Sequence, residues 1–142
     1  MPLELAQIRR RVQTRLADVK RAAAGRRERV TEAERAYAAF LSQVAAPTMN
    51  AIAQSLSAEG FPYKVITPGA TVRMVSDRSN RTYLELRLDT SGASPQVVAE
   101  VGRERGSRVL TDDRPLGGGA QIDTLRDEDV VAVVLESLDD LI

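Results

Sequence analysis

The chain has 142 residues, 43% of them hydrophobic, which suits one ordinary domain with a helical extension and leaves too little for two. It contains no Cys and no His, so disulfide frameworks, Cys/His zinc sites, thiol nucleophiles and imidazole general bases are excluded. Its 20 Lys and Arg balance 20 Asp and Glu, but the zero net charge hides a polarised distribution: residues 1–30 hold nine basic groups against three acids, a surplus of +6, and residues 112–142 hold nine acids against two arginines, a deficit of −7.

The remaining global features narrow the class further. No run of about 18 apolar residues is present, which argues against a membrane span. The start, Met1-Pro2-Leu3-Glu4, lacks the basic-then-apolar pattern of a secretory leader. Absence of cysteine fits a reducing compartment, and the expected location is the cytoplasm. Aromatic residues are confined to Tyr37, Phe40, Phe61, Tyr63 and Tyr83, too few for a base-stacking platform.

In chain order, Pro2 suits a first helical turn, and no further proline occurs before Pro47. Leu5, Val12, Leu16, Val19, Ala23, Val30, Ala33, Tyr37, Phe40 and Val44 recur in steps consistent with a heptad, the period of a helix laid against a partner. Arg9 and Arg26 fall on the same phase, where an apolar side chain is expected. Gly25 weakens the helix locally, and Thr31 followed by Glu34 has the form of a capping box. The heptad phase runs through Gly25 unbroken, which favours one continuous helix over two hinged there. Pro47 is expected to kink or end this helix, with a short amphipathic segment through Met49, Ile52, Ala53 and Leu56 after it. Gly60, followed by Phe61 and Pro62, has the form of a left-handed helix terminator. The expected division is therefore a helical arm over residues 1–60 and a strand-rich body over 61–142.

Within the body, Tyr63–Thr67, Thr71–Asp77, Thr82–Asp89, Gln96–Gly102 and Ser107–Thr111 alternate with a period of two and are separated by turn residues. Short turns of this kind join antiparallel neighbours. After Gly117, Gly118 and Gly119, the segment from Thr124 to Ile142 keeps helical spacing, with Thr124 as a candidate cap and Asp127, Glu128 and Asp129 in the first turn, where the helix dipole favours negative charge. A buried strand is the alternative for its valine run. The expected class is α+β: a long N-terminal helical arm, an antiparallel sheet of four to five strands, and a C-terminal helix packed on the sheet.

No residue set calls for a cofactor or a metal. The glycine run lacks the Lys-Ser/Thr of a phosphate loop, and the acids from Asp112 to Asp129 do not match a calcium loop. The expected function is non-enzymatic: an adaptor, assembly or regulatory subunit that binds a protein partner through the helical seam, with Leu5, Val12, Leu16, Val19, Arg26, Val30, Tyr37 and Phe40 as the contact residues. A homodimer is the expected partner arrangement, because a seam this long is otherwise left in water. A second reading places Arg10, Arg11, Arg15 and Arg21 against nucleic-acid phosphates, although the cations are dispersed around the helix. A third is a small chaperone-like protein holding an extended client.

Overall fold

The computed structural model describes residues 2–142. By its internal contacts the chain forms two units, Met1–Glu32 and Ala33–Ile142. The first is helical. Helix α1 (Leu5–Phe40) begins three residues after Pro2, with the carbonyl of Glu4 accepting from the Ile8 amide at 3.0 Å. It runs through Gly25 and through Thr31 and Glu34 without interruption. A run of alanines and long straight side chains around the glycine offsets its cost, which is about 1 kcal/mol against alanine.

The second unit opens with the last turns of α1, which pass into a five-residue π-helical segment, Leu41–Ala45, and then into α2 (Ala46–Ala58). Pro47 was expected to kink or end the helix; instead it occupies the first turn of α2. A proline has no N–H to donate and its ring crowds the carbonyl four residues back. Widening the turn before it, so that the Ala46 amide donates to Leu41 O five residues earlier, lets the chain continue. The helix then stops where expected. Gly60 takes φ 91°, the Gly60 amide donates to Ser57 O at 3.1 Å, and the Phe61 amide donates to Leu56 O at 2.9 Å. These are the two bonds of a Schellman terminator.

Five strands follow, β1 (Tyr63–Ile66), β2 (Val72–Ser76), β3 (Tyr83–Asp89), β4 (Gln96–Arg105) and β5 (Arg108–Pro115), in the spatial order of the sequence and antiparallel throughout. β4 and β5 are longer than their periodicity suggests. Gly102, expected to end β4, pairs with Thr111 in mid-ladder, and the turn comes at Gly106 with φ 61°. Met74, Leu84, Leu86 and Ala99, each fully buried, form the centre of one sheet face. Tyr37, Phe40, Ala45, Met49 and Ala53 from the helical segments join the same core, as do Val130, Val133, Val134 and Leu141 from the C-terminal segment. The compact unit thus starts at Ala33, well before the Gly60 boundary, because half of the expected arm is part of the core.

Two 3₁₀ turns, Leu116–Gly118 and Ile122–Thr124, lead into α3 (Asp127–Glu136) and α4 (Leu138–Leu141). Thr124 does not cap α3; its hydroxyl donates to Gln121 O within the 3₁₀ turn at 2.6 Å. Arg126 is the residue that precedes the helix, and its amide donates to the Asp129 carboxylate at 2.8 Å, half of a capping box. The single C-terminal helix expected to run on toward Ile142 breaks at Ser137. Arg114 of β5 donates to Glu136 O at 3.0 Å and to Ser137 Oγ at 2.8 Å, and the Asp140 amide turns to Ser137 O instead. Among the described residues, no helix is long and apolar enough to cross a membrane.

Candidate protein-interaction surface

At 100° per residue, Ile8, Val19, Val12, Leu5, Ala23, Leu16 and Val30 share a stripe about 80° wide along α1. Five of them are large aliphatic residues in solvent: Leu5 is 71% exposed, Val12 51%, Leu16 50%, Val19 46% and Ile8 44%. Ala23 and Val30 are half-buried. Farther along, Tyr37 and Phe40 are buried, and the Tyr37 hydroxyl donates to Leu86 O at 3.0 Å. Tyr37 and Phe40, expected as partner contacts, therefore belong to the chain's own core. The seam has two fates along its length, and the stretch from Leu5 to Val19 is the part that faces water.

Ile8 belongs to this surface although a strict heptad passes over it in favour of Arg9. In an untwisted α-helix, Ile8 lies within the stripe and Arg9 on its border with Lys20 and Arg27. Arg26 lies within the stripe, exposed and outside every ion pair of the described residues. Among the C-terminal acids, the Asp140 carboxylate takes Arg103 and Arg114, each at 3.0 Å. Arg10, Arg11, Arg15 and Arg21 are all exposed. Arg21 sits 3.4 Å from Asp18 in a solvent-exposed pair of small energetic weight. These four cations point in different directions around the helix.

The second unit offers other polar clusters, and each has a structural role. On the sheet face opposite the core, the Arg73 guanidinium lies 4.1 Å from the centroid of the Tyr83 ring, and Arg73 Nε makes no hydrogen bond. Glu85, buried and paired with Arg73 across the strands, accepts from Arg73 at 3.2 Å and from the Thr71 hydroxyl at 2.9 Å. The Tyr83 hydroxyl donates to Glu100 at 2.7 Å; burial foremost, then that hydrogen bond and the carboxylate charge, push its pKa up to about 12. A phenol held neutral in this way is a cross-strand tie and a poor general base. Asp113 pairs with Arg87 at 2.7 Å and Asp112 with Arg114 at 3.0 Å. Among the described residues, no group of three or more acids is arranged to hold a metal ion. Apart from the Asp112–Arg114 pair within β5, these pairings depend on strand register, and no local signal in the sequence points to them.

A groove of about 710 Å³ runs past Tyr37, Leu41, Ala46, Val72 and Leu88, between the helical segments and the turn joining β1 to β2. The two edges of the sheet, β1 and β5, are poor templates for an added strand. β1 has four residues with Lys64 exposed, and β5 carries Arg108, Asp112, Asp113 and Pro115. Gly117, Gly118 and Gly119 all take positive φ and form a tight connector, where a side chain at Gly117 would meet Leu125 at 2.9 Å. Comparison of the chain with protein-family models, with curated proteins and with solved structures gave no match.

Proposed function

We propose that the protein is an interaction module whose N-terminal helix associates with a protein partner through the stripe formed by Leu5, Ile8, Val12, Leu16 and Val19. The observation that carries this reading is their exposure, 44–71%, on one face of a helix whose later seam residues are buried. Covering the exposed half of each aliphatic side chain contributes about 1 kcal/mol. Five of them supply roughly 5 kcal/mol toward the cost of association, and the half-buried Ala23 and Val30 extend the contact.

Phosphate binding through Arg10, Arg11, Arg15 and Arg21 is the second reading, favoured by the surplus of cations in residues 1–30. It ranks second because it leaves the apolar stripe in water. The two readings separate in a photo-crosslinking experiment. A benzophenone amino acid is placed at Leu16 or at Thr14, on the opposite side of the helix, in the full chain within its native cells. The stripe position is expected to give a protein adduct of defined mass and Thr14 none. Equal adducts at both positions, or none at Leu16, would refute the interaction reading.

A further inference from the structure

The heptad that places Leu5, Val12 and Val19 at d positions and Leu16, Ala23 and Val30 at a positions also fixes what borders them. Up to Val30 the e and g positions are Ala6, Ile8, Gln13, Arg15, Lys20, Ala22, Arg27 and Arg29. Four are cations and none is an acid. Asp18 and Glu28 fall at c and f, away from the contact.

This bordering charge bears directly on the homodimer. In a parallel pair, Arg15 faces Lys20 of the second copy, Arg9 meets Arg9 and Arg26 meets Arg26, against a single attractive pair, Arg29 with Glu34. In an antiparallel pair, e meets e and g meets g, again cation against cation or against a neutral residue. Like charges across such borders specify against a pairing. The chain's own acidic segment does not fill the role either. α3 has ten residues, about 15 Å of helix, against roughly 37 Å from Leu5 to Val30.

We infer that the N-terminal helix takes an unlike partner: an amphipathic helical segment with Asp or Glu along both borders of its own apolar stripe, and an acid opposite Arg26. The inference rests on the proposed function and names the chemistry of the partner. Such a helix covers Leu5, Ile8, Val12, Leu16 and Val19 and neutralises Arg15, Lys20, Arg27 and Arg29 at the same time. Nucleic acid meets only the cations. A lipid surface suits a broader apolar face with Trp or Phe, and α1 has no aromatic residue before Tyr37.

The test uses the full chain and two synthetic peptides of about four heptads with the same Leu and Val seam, one with Glu and one with Lys at every e and g position. The Glu peptide is expected to bind about tenfold or more tighter than the Lys peptide at low salt, with the gap narrowing at high salt. Reversing Arg15→Glu, Lys20→Glu and Arg27→Glu together is expected to invert that preference, and Leu16→Asp to abolish binding of both peptides. Equal affinity for the two peptides, or no binding of the Glu peptide, overturns the inference. So does a stable dimer of the chain by light scattering, or tighter binding to phosphatidylglycerol vesicles or to a short DNA duplex than to the Glu peptide. Loss of charge preference while Leu16→Asp still abolishes binding removes the acidic partner but leaves the apolar seam; absence of the Leu16 crosslink removes the seam itself.

Discussion

Gly102→Ala is a small substitution with a large expected effect. A Cβ on Gly102 would lie 2.3 Å from Cε1, 2.6 Å from Cζ and 2.8 Å from Cδ1 of Tyr83, because that ring lies flat over the glycine from the neighbouring strand. Backbone strain is not involved, since Gly102 is not among the residues with positive φ. The ring must move, and it is held on both sides, by Arg73 at 4.1 Å and by the hydrogen bond to Glu100 at 2.7 Å. Overpacking costs about 1–3 kcal/mol. Losing a hydrogen bond to a carboxylate adds roughly 1.5–3 kcal/mol when it breaks fully. The lower backbone entropy of the unfolded alanine chain returns about 0.4–1 kcal/mol. The net expectation is a loss of about 2–4 kcal/mol, read from urea unfolding followed by circular dichroism. In a Tyr83→Ser background the obstacle is gone, and the same Gly102→Ala change should be neutral or stabilising. If the substitution costs the same in both backgrounds, the ring-over-glycine contact does not account for the effect.

Further outcomes follow from the same structure. Burial pushes the Tyr63 phenol up to about 12 from its ordinary value of 10. The folded state therefore holds that proton more tightly than the unfolded state, its contribution is complete below pH 10, and about 2–3 kcal/mol is lost as pH rises from 10 to 12; tyrosinate absorbance and unfolding should change together, and ionisation of a fully folded chain near pH 10 would contradict this. Gly60→Ala should cost about 1 kcal/mol in urea unfolding, because φ is 91° there and nothing lies within 4 Å of an added Cβ, so only the backbone conformation opposes it. Phe40→Ala should destabilise by about 3–5 kcal/mol in urea unfolding, whereas Leu16→Asp should change the unfolding free energy of the Ala33–Ile142 unit by less than about 0.5 kcal/mol, although both residues stand on one heptad phase. Similar losses from both would remove the distinction between a surface seam and a core seam.

Much of the fold is legible in local signals. The alternation of Leu84, Leu86 and Leu88, the turn residues between strands, and the Gly60-Phe61-Pro62 terminator each act over a few residues, and each marks its element correctly. Elements shaped by distant partners are less legible. Pro47 carries a strong breaking signal, but its cost is relieved by a π-helical turn that also keeps Phe40 and Met49 in one core. Ser137 looks like one more helical position until Arg114, 23 residues earlier, takes its hydroxyl. Most instructive is the seam. Its period is the same from Leu5 to Val44 because a helix presents one face in the same way to an outside partner and to its own sheet. Periodicity therefore finds the face without revealing that Tyr37 and Phe40 are enclosed by the chain while Val12 and Leu16 face water.

The interaction claim is most directly tested by protection along α1, and the absence of native cysteine makes this clean. Single cysteines are placed in turn at Leu5, Ile8, Val12, Leu16 and Val19, and at Gln7, Arg10, Thr14 and Arg21 on the other side. Maleimide labelling of the purified chain is then compared with labelling in an extract of its native cells. Protection in the extract at the first set, with the second set labelled at the same rate in both, is the expected result. Equal labelling at all positions, or protection that ignores the helical period, would contradict a partner-binding stripe.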